Sequence, residues 1–571
     1  MAAAMDTQPN VILVMTDDQG HGDLSLHGNP CLQTPNLDRL AAQSARLGTF
    51  YVQPVCAPTR AALMTGQVPQ RTTAIDTYIG RAMLSPEEVT IAERLQEAGY
   101  DTGIFGKWHL GDCHPLRPHD QGFDVSLVHR GGGIGQPSDP EGAEGRYTDP
   151  VLFRNGVAET TSGYCTDVYF TEALEWMAER EDPFLCVITT NAPHAPYHDV
   201  PEALYRKYLE MDLAPVGANN ADRTAREFAM IENIDQNIGR LLTGLDEMEK
   251  AQDTIVLFMH DNGPQWKRYN RGLRDIKGSV YEGGIRSPFL ARWPGRFPAG
   301  DRPEAIGQHV DVVPTILEAA GIAHDNEGLD GLSLMEVLRG RETGDFDRSI
   351  IVQSHRGDVP VRWHNAMIRR GKWKLVNATG FGRELAEAPR KLELYDLSRD
   401  PGEQSDLAAR YPERVRELAD EYDAWFARVG ADDPANYEPP AISVGLLDEA
   451  VHLTRQDWRR IGKGGWGGRS NGAWLVDVAQ TGPYRVRVRF LPKESPPEKV
   501  ELFVDGRRLA EASAGTGTDV VIDDVRLPRG KGLLEVSMHD AESTYGAYQV
   551  IIEPVSIRTS PGQSPDASRS P

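Results

Sequence analysis

Four apolar segments of the sequence are followed by polar residues of types that bind metals or take part in catalysis. The segments are VILVM (11–15), DTGIF (101–105), FLCVITT (184–190) and TIVLFM (254–259). The residues that follow them are Asp17 and Asp18 after the first, Lys107 and His109 after the second, His194 after the third, and Asp261 and Asn262 after the fourth. Ligands of open parallel sheets bind beyond the carboxyl ends of the strands. We therefore expect these side chains to line one site.

The two acidic pairs among these residues indicate a metal site, because Asp17, Asp18, Asp261 and Asn262 offer three carboxylates and one amide oxygen. Carboxylates that share a site raise each other's pKa unless a cation neutralises them. Ca²⁺ and Mg²⁺ prefer such oxygen ligands, and the lack of His or Cys in the set disfavours zinc. A single Asp at a strand end is more often a cap or turn residue, so the prediction depends on both pairs.

The segment VQPVCAPTRAALMTG supplies a candidate nucleophile, Cys56. Pro58 is tolerated in a first helical turn, and the apolar residues after it continue a helix. Cys56 should therefore lie at a helix N-terminus, where the helix dipole favours negative charge. For an isolated cysteine, a buried structural role would be the preferred interpretation. The pattern C-x-P-x-R argues for the nucleophile instead.

CAPTR followed by a helix resembles the signature of the type I sulfatases, which belong to the alkaline phosphatase-like superfamily. In that family the cysteine is oxidised to formylglycine (3-oxoalanine). Further segments resemble the family in its order: DDQGHGDLSLHG, TPNLDRLA, GKWHLG, APHAPY, DNG, GLRDIKGSVYEGGIRSP and ELYDLSRDPGEQSDLA. The resemblance covers roughly residues 8 to 430.

The resemblance implies a cation and a modified nucleophile. One divalent cation, Ca²⁺ in preference to Mg²⁺, would be held by Asp17, Asp18, Asp261, Asn262 and the group derived from Cys56. The hydrate of formylglycine at position 56 would attack sulfur. Arg60 would reach back towards residue 56 and fix the hydrate.

The resemblance also implies roles for four further residues. Lys107 would steady the hydrate and the sulfate. His109 is the expected base that removes a proton from the hydrate and so expels sulfate. His194 and Lys277 would bind sulfate and protonate the leaving oxygen, and His194 is preferred because its ordinary pKa lies near neutrality.

The order of apolar patterns predicts an α/β fold with a large, mostly parallel sheet between helices. Residues 8–345 would form this sulfatase catalytic domain, residues 346–438 a smaller α+β subdomain, residues 440–558 an antiparallel β-sandwich, and residues 559–571 a disordered tail. The sandwich tryptophans are expected in its core rather than on a sugar-binding surface: Trp458, Trp466 and Trp474. Lys267 and Arg268 are expected in a solvated loop.

Composition limits the partners. The formal charge of −23 repels nucleic acid and anionic membranes, yet a few basic side chains can still bind a small anion. The five scattered cysteines do not resemble a disulfide framework. The first residues lack a basic signal-peptide region, which favours the cytoplasm, whereas a removed signal would favour a secreted or periplasmic protein.

We expect hydrolysis of a sulfate ester, with a sulfated carbohydrate as the favoured substrate and a formylglycine-generating enzyme as the maturation partner. A formylglycine-dependent phosphonate monoester or phosphodiester hydrolase is the nearest alternative, since sulfate and phosphate esters have similar shapes. A non-catalytic glycan-binding protein is the alternative from another class. The oligomeric state stays open.

Overall fold

The computed structural model of the protein describes residues 8–140, 142–143, 145–323, 328–343, 347–462, 464–490, 497–513 and 517–555. The chain divides into two compact units, Met1–Pro440 and Ala441–Pro571. Among the helices in the described ranges, none combines the length and apolar character that crossing a bilayer requires. The predicted tail, residues 559–571, lies outside these ranges.

An eleven-stranded mixed sheet forms the centre of the first unit. Its strands are β1 (Asn10–Thr16), β2 (Ala45–Tyr51), β3 (Asp101–Lys107), β4 (Val125–His129), β5 (Val151–Arg154), β6 (Val157–Thr160), β7 (Phe184–Thr189), β8 (Thr254–His260), β9 (Arg286–Ser287), β10 (Phe289–Arg292) and β11 (Gly300–Gln308). The strand order is β11-β2-β10-β8-β1-β7-β3-β4-β5-β6, and β9 pairs with β2. The four predicted strands, β8, β1, β7 and β3, are adjacent and parallel.

Helices cover both faces of this sheet, as predicted for an α/β fold. The helices of this part of the chain are α1 (Pro35–Ala42), α2 (Cys56–Thr65), α3 (Ile91–Glu97), α4 (Cys165–Ala178), α5 (Glu202–Leu209), α6 (Ala221–Glu247), α7 (Glu282–Ile285), α8 (Val312–Ala319) and α9 (Met335–Leu338). Alternate residues of β1 point to opposite faces. Leu13 packs in a core with α2, α3 and α8, while Val14 packs in a second core with α1, α4 and α6. Such two-sided burial explains why the central strands are continuous apolar runs.

A smaller antiparallel sheet completes the first unit. Its strands are β12 (Ser349–Gln353), β13 (Ala366–Arg370), β14 (Trp373–Asn377) and β15 (Glu393–Asp396), and the helix α10 (Pro412–Arg428) packs against it. Ile368 and Leu375 of the sheet share a core with Tyr422 of α10. The same core contains Ala62 of α2, so the smaller sheet packs against the helix that begins at Cys56.

The second unit consists of two β-sheets. Its strands are β16 (Ile442–Val444), β17 (Val451–Thr454), β18 (Arg459–Ile461), β19 (Asn471–Val478), β20 (Tyr484–Arg489), β21 (Lys499–Val504), β22 (Arg507–Ser513), β23 (Asp519–Val525), β24 (Gly530–His539), β25 (Thr544–Gly546) and β26 (Gln549–Pro554). The described pairings are antiparallel except for β16 with β19, which is parallel. Trp458 and Trp474 are buried core residues with ring centroids 5.7 Å apart, whereas Trp466 is half-buried.

Candidate active site

The predicted functional residues meet at the carboxyl edge of the central strands. Thr16 of β1 lies opposite His260 of β8, so the next residues, Asp17 and Asp261, leave the sheet side by side. Lys107 ends β3, which is separated from β1 by β7 alone. The register of the parallel strands thus places these side chains at one edge of the sheet.

Five of the predicted residues form one buried cluster. Ligand atoms of Asp17, Cys56 and Asp261 all lie within 4.8 Å of one another. The backbone N–H of Asp18 donates to Asp261 Oδ1 over 3.2 Å, and Asn262 Nδ2 donates to Asp18 Oδ1 over 2.8 Å. The structure therefore brings the four predicted oxygen donors and the cysteine together.

The donor chemistry of this cluster fits a divalent cation. Three buried oxygens make no hydrogen bond within the described residues: Asp17 Oδ1, Asp18 Oδ2 and Asn262 Oδ1. Burial, reinforced by the charge of Asp17, raises the pKa of Asp261 to about 7. Each buried acceptor without a hydrogen bond lowers the stability of the folded state by about 1–3 kcal/mol. A hard cation would bind these oxygens and remove that cost.

The helix α2 begins at Cys56, after the extended Val55, as the sequence predicts. Thr59, in the first turn, donates its hydroxyl to the Asp261 carbonyl over 2.7 Å. This bond ties the start of α2 to the end of β8. Burial raises the pKa of the Cys56 thiol.

Arg60 is buried and bonded to two neighbouring strand ends. Its Nη2 donates to Asp261 Oδ2 over 2.9 Å, and its Nη1 donates to the Lys107 carbonyl over 2.7 Å. Burial alone would lower the pKa of Arg60, but the carboxylates of Asp261 and Asp17 outweigh burial and raise it. The hydrogen bonds of this guanidinium thus go to Asp261 and Lys107, not to residue 56.

Two lysines neutralise the first acidic pair. Lys107 Nζ lies 2.6 Å from Asp17 Oδ2, and Lys277 Nζ lies 2.5 Å from Asp18 Oδ1. Burial alone would raise the pKa of Asp18, but the neighbouring charge of Lys277 holds it well below its ordinary value. Both predicted lysines therefore lie beside the candidate cation site.

His109 adopts a left-handed backbone conformation with φ of 62°, which is uncommon for a residue other than glycine. Its Nε2 is 2.8 Å from the Thr77 carbonyl, which can only accept a hydrogen bond. The proton is therefore assigned to Nε2, and Nδ1 is the basic nitrogen. Burial, together with the charge of Lys107, lowers the pKa of His109 and keeps the ring neutral.

His194 has the opposite tautomer. Its Nδ1 donates to the Ala195 carbonyl over 2.6 Å, and its Nε2 lies 3.7 Å from Asp18 Oδ2. Burial lowers the pKa of His194 to about 4, although Asp18 partly opposes this shift. The ring is therefore neutral at pH 7.

A glycine-rich loop, residues 130–136, lies against both histidines. A Cβ added to Gly132 would lie 2.6 Å from His109 Nε2, and one added to Gly133 would lie 2.9 Å from His194 Cε1. Only glycine can approach the rings so closely. The position of this loop beside the histidines is not predicted from the sequence, where its one local signal is the glycine run.

The prediction of a solvated loop is wrong for Arg268. Its neighbour Lys267 is exposed. Arg268 is buried, with nitrogens 2.5 Å from Asp23 Oδ2 and 3.2 Å from Glu227 Oε1. Asp23 Oδ2 also accepts from Gly20 N over 2.8 Å. Arg268 thus joins the loop after β1 to the loop after β8, a long-range pairing with no local sequence signal.

The family model described as Sulfatase matches residues 9–322, which is more than half of the chain. The chain belongs to the sulfatase family. A second model, described as N-sulphoglucosamine sulphohydrolase, C-terminal, matches residues 271–423 of this sulfatase. The two matches together extend from β1 into α10.

Curated relatives of the sulfatase support the assignment. Arylsulfatase A of Homo sapiens is 33% identical over 452 residues, which cover 71% of this chain and 84% of that protein. N-acetylgalactosamine-6-sulfatase of Canis lupus familiaris is 31% identical over 457 residues, covering 71% and 83%. The sulfatase is therefore an arylsulfatase-like sulfuric ester hydrolase.

Solved structures of other proteins have a similar fold. The crystal structure of Ps i-CgsB in complex with k-i-k-neocarrahexaose is similar with a TM-score of 0.65 and 26% identity, covering 76% of this chain and 94% of that one. The crystal structure of PsFucS1 sulfatase from Pseudoalteromonas sp. gives a TM-score of 0.59 at 22% identity, covering 76% and 92%. The predicted alkaline phosphatase-like fold is confirmed. These findings favour sulfate ester hydrolysis over the phosphorus-ester and non-catalytic alternatives.

Proposed function

We propose that this sulfatase removes sulfate from carbohydrates with a formylglycine nucleophile made from Cys56. The position of Cys56 is the main support. Cys56 starts a buried helix, and its Sγ lies within 4.8 Å of carboxylate oxygens of Asp17 and Asp261. A cation bound by these carboxylates would lie beside residue 56, so the cation and the nucleophile could act on the same sulfate group.

The cation would be held by the four oxygen donors, which are Asp17, Asp18, Asp261 and Asn262. Their oxygen-only chemistry favours Ca²⁺, and Mg²⁺ is the alternative. A bound cation would orient one sulfate oxygen and offset negative charge in the transition state. Three of these donors have an oxygen without a hydrogen bond in the described structure, which supports the assignment.

The nucleophile would be one hydroxyl of the hydrated aldehyde at position 56, which attacks sulfur while the alcohol leaves. Lys107 and Arg60 contribute two buried positive charges beside this position. Positive charge stabilises the hydrate's ionised hydroxyl and the charge that develops on the sulfate oxygens. A formylglycine-generating enzyme would be the partner that matures Cys56.

His109 and His194 would divide the proton transfers. The basic Nδ1 of the neutral His109 would accept the proton of the second hydroxyl, which expels sulfate and restores the aldehyde. His194 would protonate the leaving oxygen from Nε2. The negative charge of the bound sulfate ester would raise the pKa of His194, so that Nε2 takes up a proton before the alcohol leaves. Lys277, beside Asp18, would bind the sulfate and is the other candidate acid.

A sulfated carbohydrate is the proposed substrate class. The relative from Canis lupus familiaris is by name an N-acetylgalactosamine-6-sulfatase. The chain carries a net charge of −23, but in the site Arg60, Lys107 and Lys277 offset the three carboxylates, so a bound divalent cation would make the site positive. This local reversal of sign suits a small anionic ester rather than a polyanion.

Turnover of matched esters tests the proposal. The protein, produced in a host that converts cysteines of this kind, is offered 4-nitrophenyl sulfate, 4-nitrophenyl phosphate, bis(4-nitrophenyl) phosphate and sulfated hexosamines. We expect the sulfates to react, and we expect Cys56→Ala to abolish turnover. A clear preference for a phosphorus ester, or full activity of Cys56→Ala, would reject the proposal.

A further inference from the structure

Arg356 presents a fixed guanidinium between two aromatic rings. Its Cζ lies 3.9 Å from the ring centroid of Tyr78 and 4.6 Å from that of Phe381. Its Nη1 donates to Asp76 Oδ1 over 2.7 Å and to Thr77 Oγ1 over 3.2 Å. The side chain is therefore ordered before any ligand binds, which removes an entropic cost of recognition.

The neighbours of this guanidinium lie beside the candidate active site. Thr77, which accepts its hydrogen bond, also accepts one from His109 Nε2 through its carbonyl. On the other side, the Cβ of Phe381 would lie 3.2 Å from a Cβ added to Gly278, the residue after Lys277. Two residues that contact the guanidinium, Thr77 and Phe381, thus lie next to His109 and to Gly278, respectively.

Part of the guanidinium is available to a ligand. The side chain of Arg356 is 23% exposed. Within the described part of the chain, its Nε and Nη2 donate no hydrogen bond, and neither is a buried atom. An arginine fork of this kind matches a carboxylate or sulfate with two parallel hydrogen bonds.

A second arginine limits the competition from nearby carboxylates. Arg81 is fully buried and lies 2.8 Å from Asp358, 3.1 Å from Glu384 and 3.4 Å from Asp76. All three carboxylates are thus paired with Arg81, and one of them, Asp76, is shared with Arg356. The pairing leaves the outer edge of Arg356 to an incoming anion.

We propose that Arg356 selects substrates with a second anionic group, a carboxylate or another sulfate, near the sulfate ester that is cleaved. The inference rests on the proposed activity towards sulfated carbohydrates. The active site would hold the reacting sulfate, and Arg356 would bind the second anion at its edge. Arg356 is therefore a specificity residue that does not touch the reacting atoms.

The test compares Arg356→Gln with a matched control, Arg362→Gln. Arg362 is also half-buried, with its Cζ 4.7 Å from the Phe426 ring and its nitrogens 3.4 Å from Asp423 and Asp432. Both variants are assayed on 4-nitrophenyl sulfate, on hexosamine monosulfates and disulfates, and on a sulfated disaccharide with a uronate or its carboxyl-reduced form. The disulfate and uronate arms distinguish the two sources of the second anion. Thermal unfolding of each variant reports whether it is folded.

In the wild type we expect kcat/KM to be higher for substrates with a second anion. In Arg356→Gln this preference should fall about ten- to hundredfold, mainly through KM, as expected for loss of hydrogen bonds between charged groups. Turnover of 4-nitrophenyl sulfate should stay within about threefold, and Arg362→Gln should keep the preference. Arg356→Lys should recover part of it, because lysine keeps the charge and loses the fork.

Three outcomes would overturn the inference, and the assays distinguish them. If the wild type hydrolyses sulfated sugars without preferring a second anion, or if Arg356→Gln loses activity equally on all of them, Arg356 has no such role. If the wild type hydrolyses 4-nitrophenyl sulfate and none of the sugars, the proposed carbohydrate function fails as well.

Discussion

Lys107 Nζ donates to Asp17 Oδ2 over 2.6 Å, and neither side chain is exposed to solvent. Removing one partner of a buried pair leaves an uncompensated charge, which typically costs about 3–5 kcal/mol. Lys107→Met should therefore lower the free energy of unfolding of the cation-free protein by that order. It should also lower kcat at least about a hundredfold, because the charge beside residue 56 is lost.

Urea unfolding and aryl sulfate turnover measure both effects. The control is Lys391→Met, since Lys391 is exposed on the smaller subdomain. Wild-type stability together with wild-type turnover in Lys107→Met would contradict the assignment.

Asp261 should make the cation-free protein sensitive to pH. Its pKa is raised to about 7 in the folded state, whereas an unfolded aspartate titrates near 3.9. Between these values the folded state binds more protons, so the free energy of unfolding falls as pH rises, by at most about 1.4 kcal/mol per pH unit. Saturating Ca²⁺ should remove this contribution.

Urea unfolding at pH 5, 6 and 7, in chelator and in Ca²⁺, measures the contribution. Asp261→Asn is the control, because it removes the titrating group while other groups still titrate. The same pH dependence in the wild type and Asp261→Asn, with chelator present, would show that Asp261 is not the source.

His194 should matter most for poor leaving groups. His194→Ala should lower kcat/KM by about 10²–10⁴-fold for alkyl and sugar sulfates, whose leaving oxygen needs a proton. The loss should be far smaller for 4-nitrophenyl sulfate, whose leaving group is stable as an anion. A series of aryl sulfates with graded leaving-group pKa measures the slope. If His194→Ala slows all of them equally while Lys277→Ala steepens the slope, Lys277 is the acid.

The glycine loop should tolerate no side chain at position 132. Gly132→Ala places a methyl group 2.6 Å from His109 Nε2, so the ring or the loop must shift. We expect kcat to fall at least about tenfold, because small displacements of a catalytic group are costly. Gly382→Ala is the matched control, since no atom lies within 4 Å of its added Cβ. Wild-type kcat in Gly132→Ala would show that the loop does not hold His109.

Much of the fold and the site can be predicted from local sequence. The four central strands are long apolar runs buried on both faces, and parallel topology alone brings Asp17 and Asp261 together. The position of Cys56 at the start of α2 follows from Pro58 in its first turn. The roles of the predicted site residues stay predictions, although the structure brings them together.

The remaining features depend on contacts between distant segments. The local sequence predicts a loop residue at Arg268, and only the tertiary fold pairs it with Asp23, about 245 positions away along the chain. The approach of Gly132 to His109 is equally invisible in the sequence, because loop conformation sets it. The parallel pairing of β16 with β19 adds a short strand that periodicity does not reveal.

The mass of the tryptic peptide Leu47–Arg60, measured in protein of known sulfatase activity, tests the central claim most directly. Conversion of Cys56 to formylglycine replaces one sulfur and two hydrogens with one oxygen. We expect this mass change, and we expect activity to rise in proportion to the converted fraction. Fully active protein whose peptide carries only the unmodified thiol would contradict it.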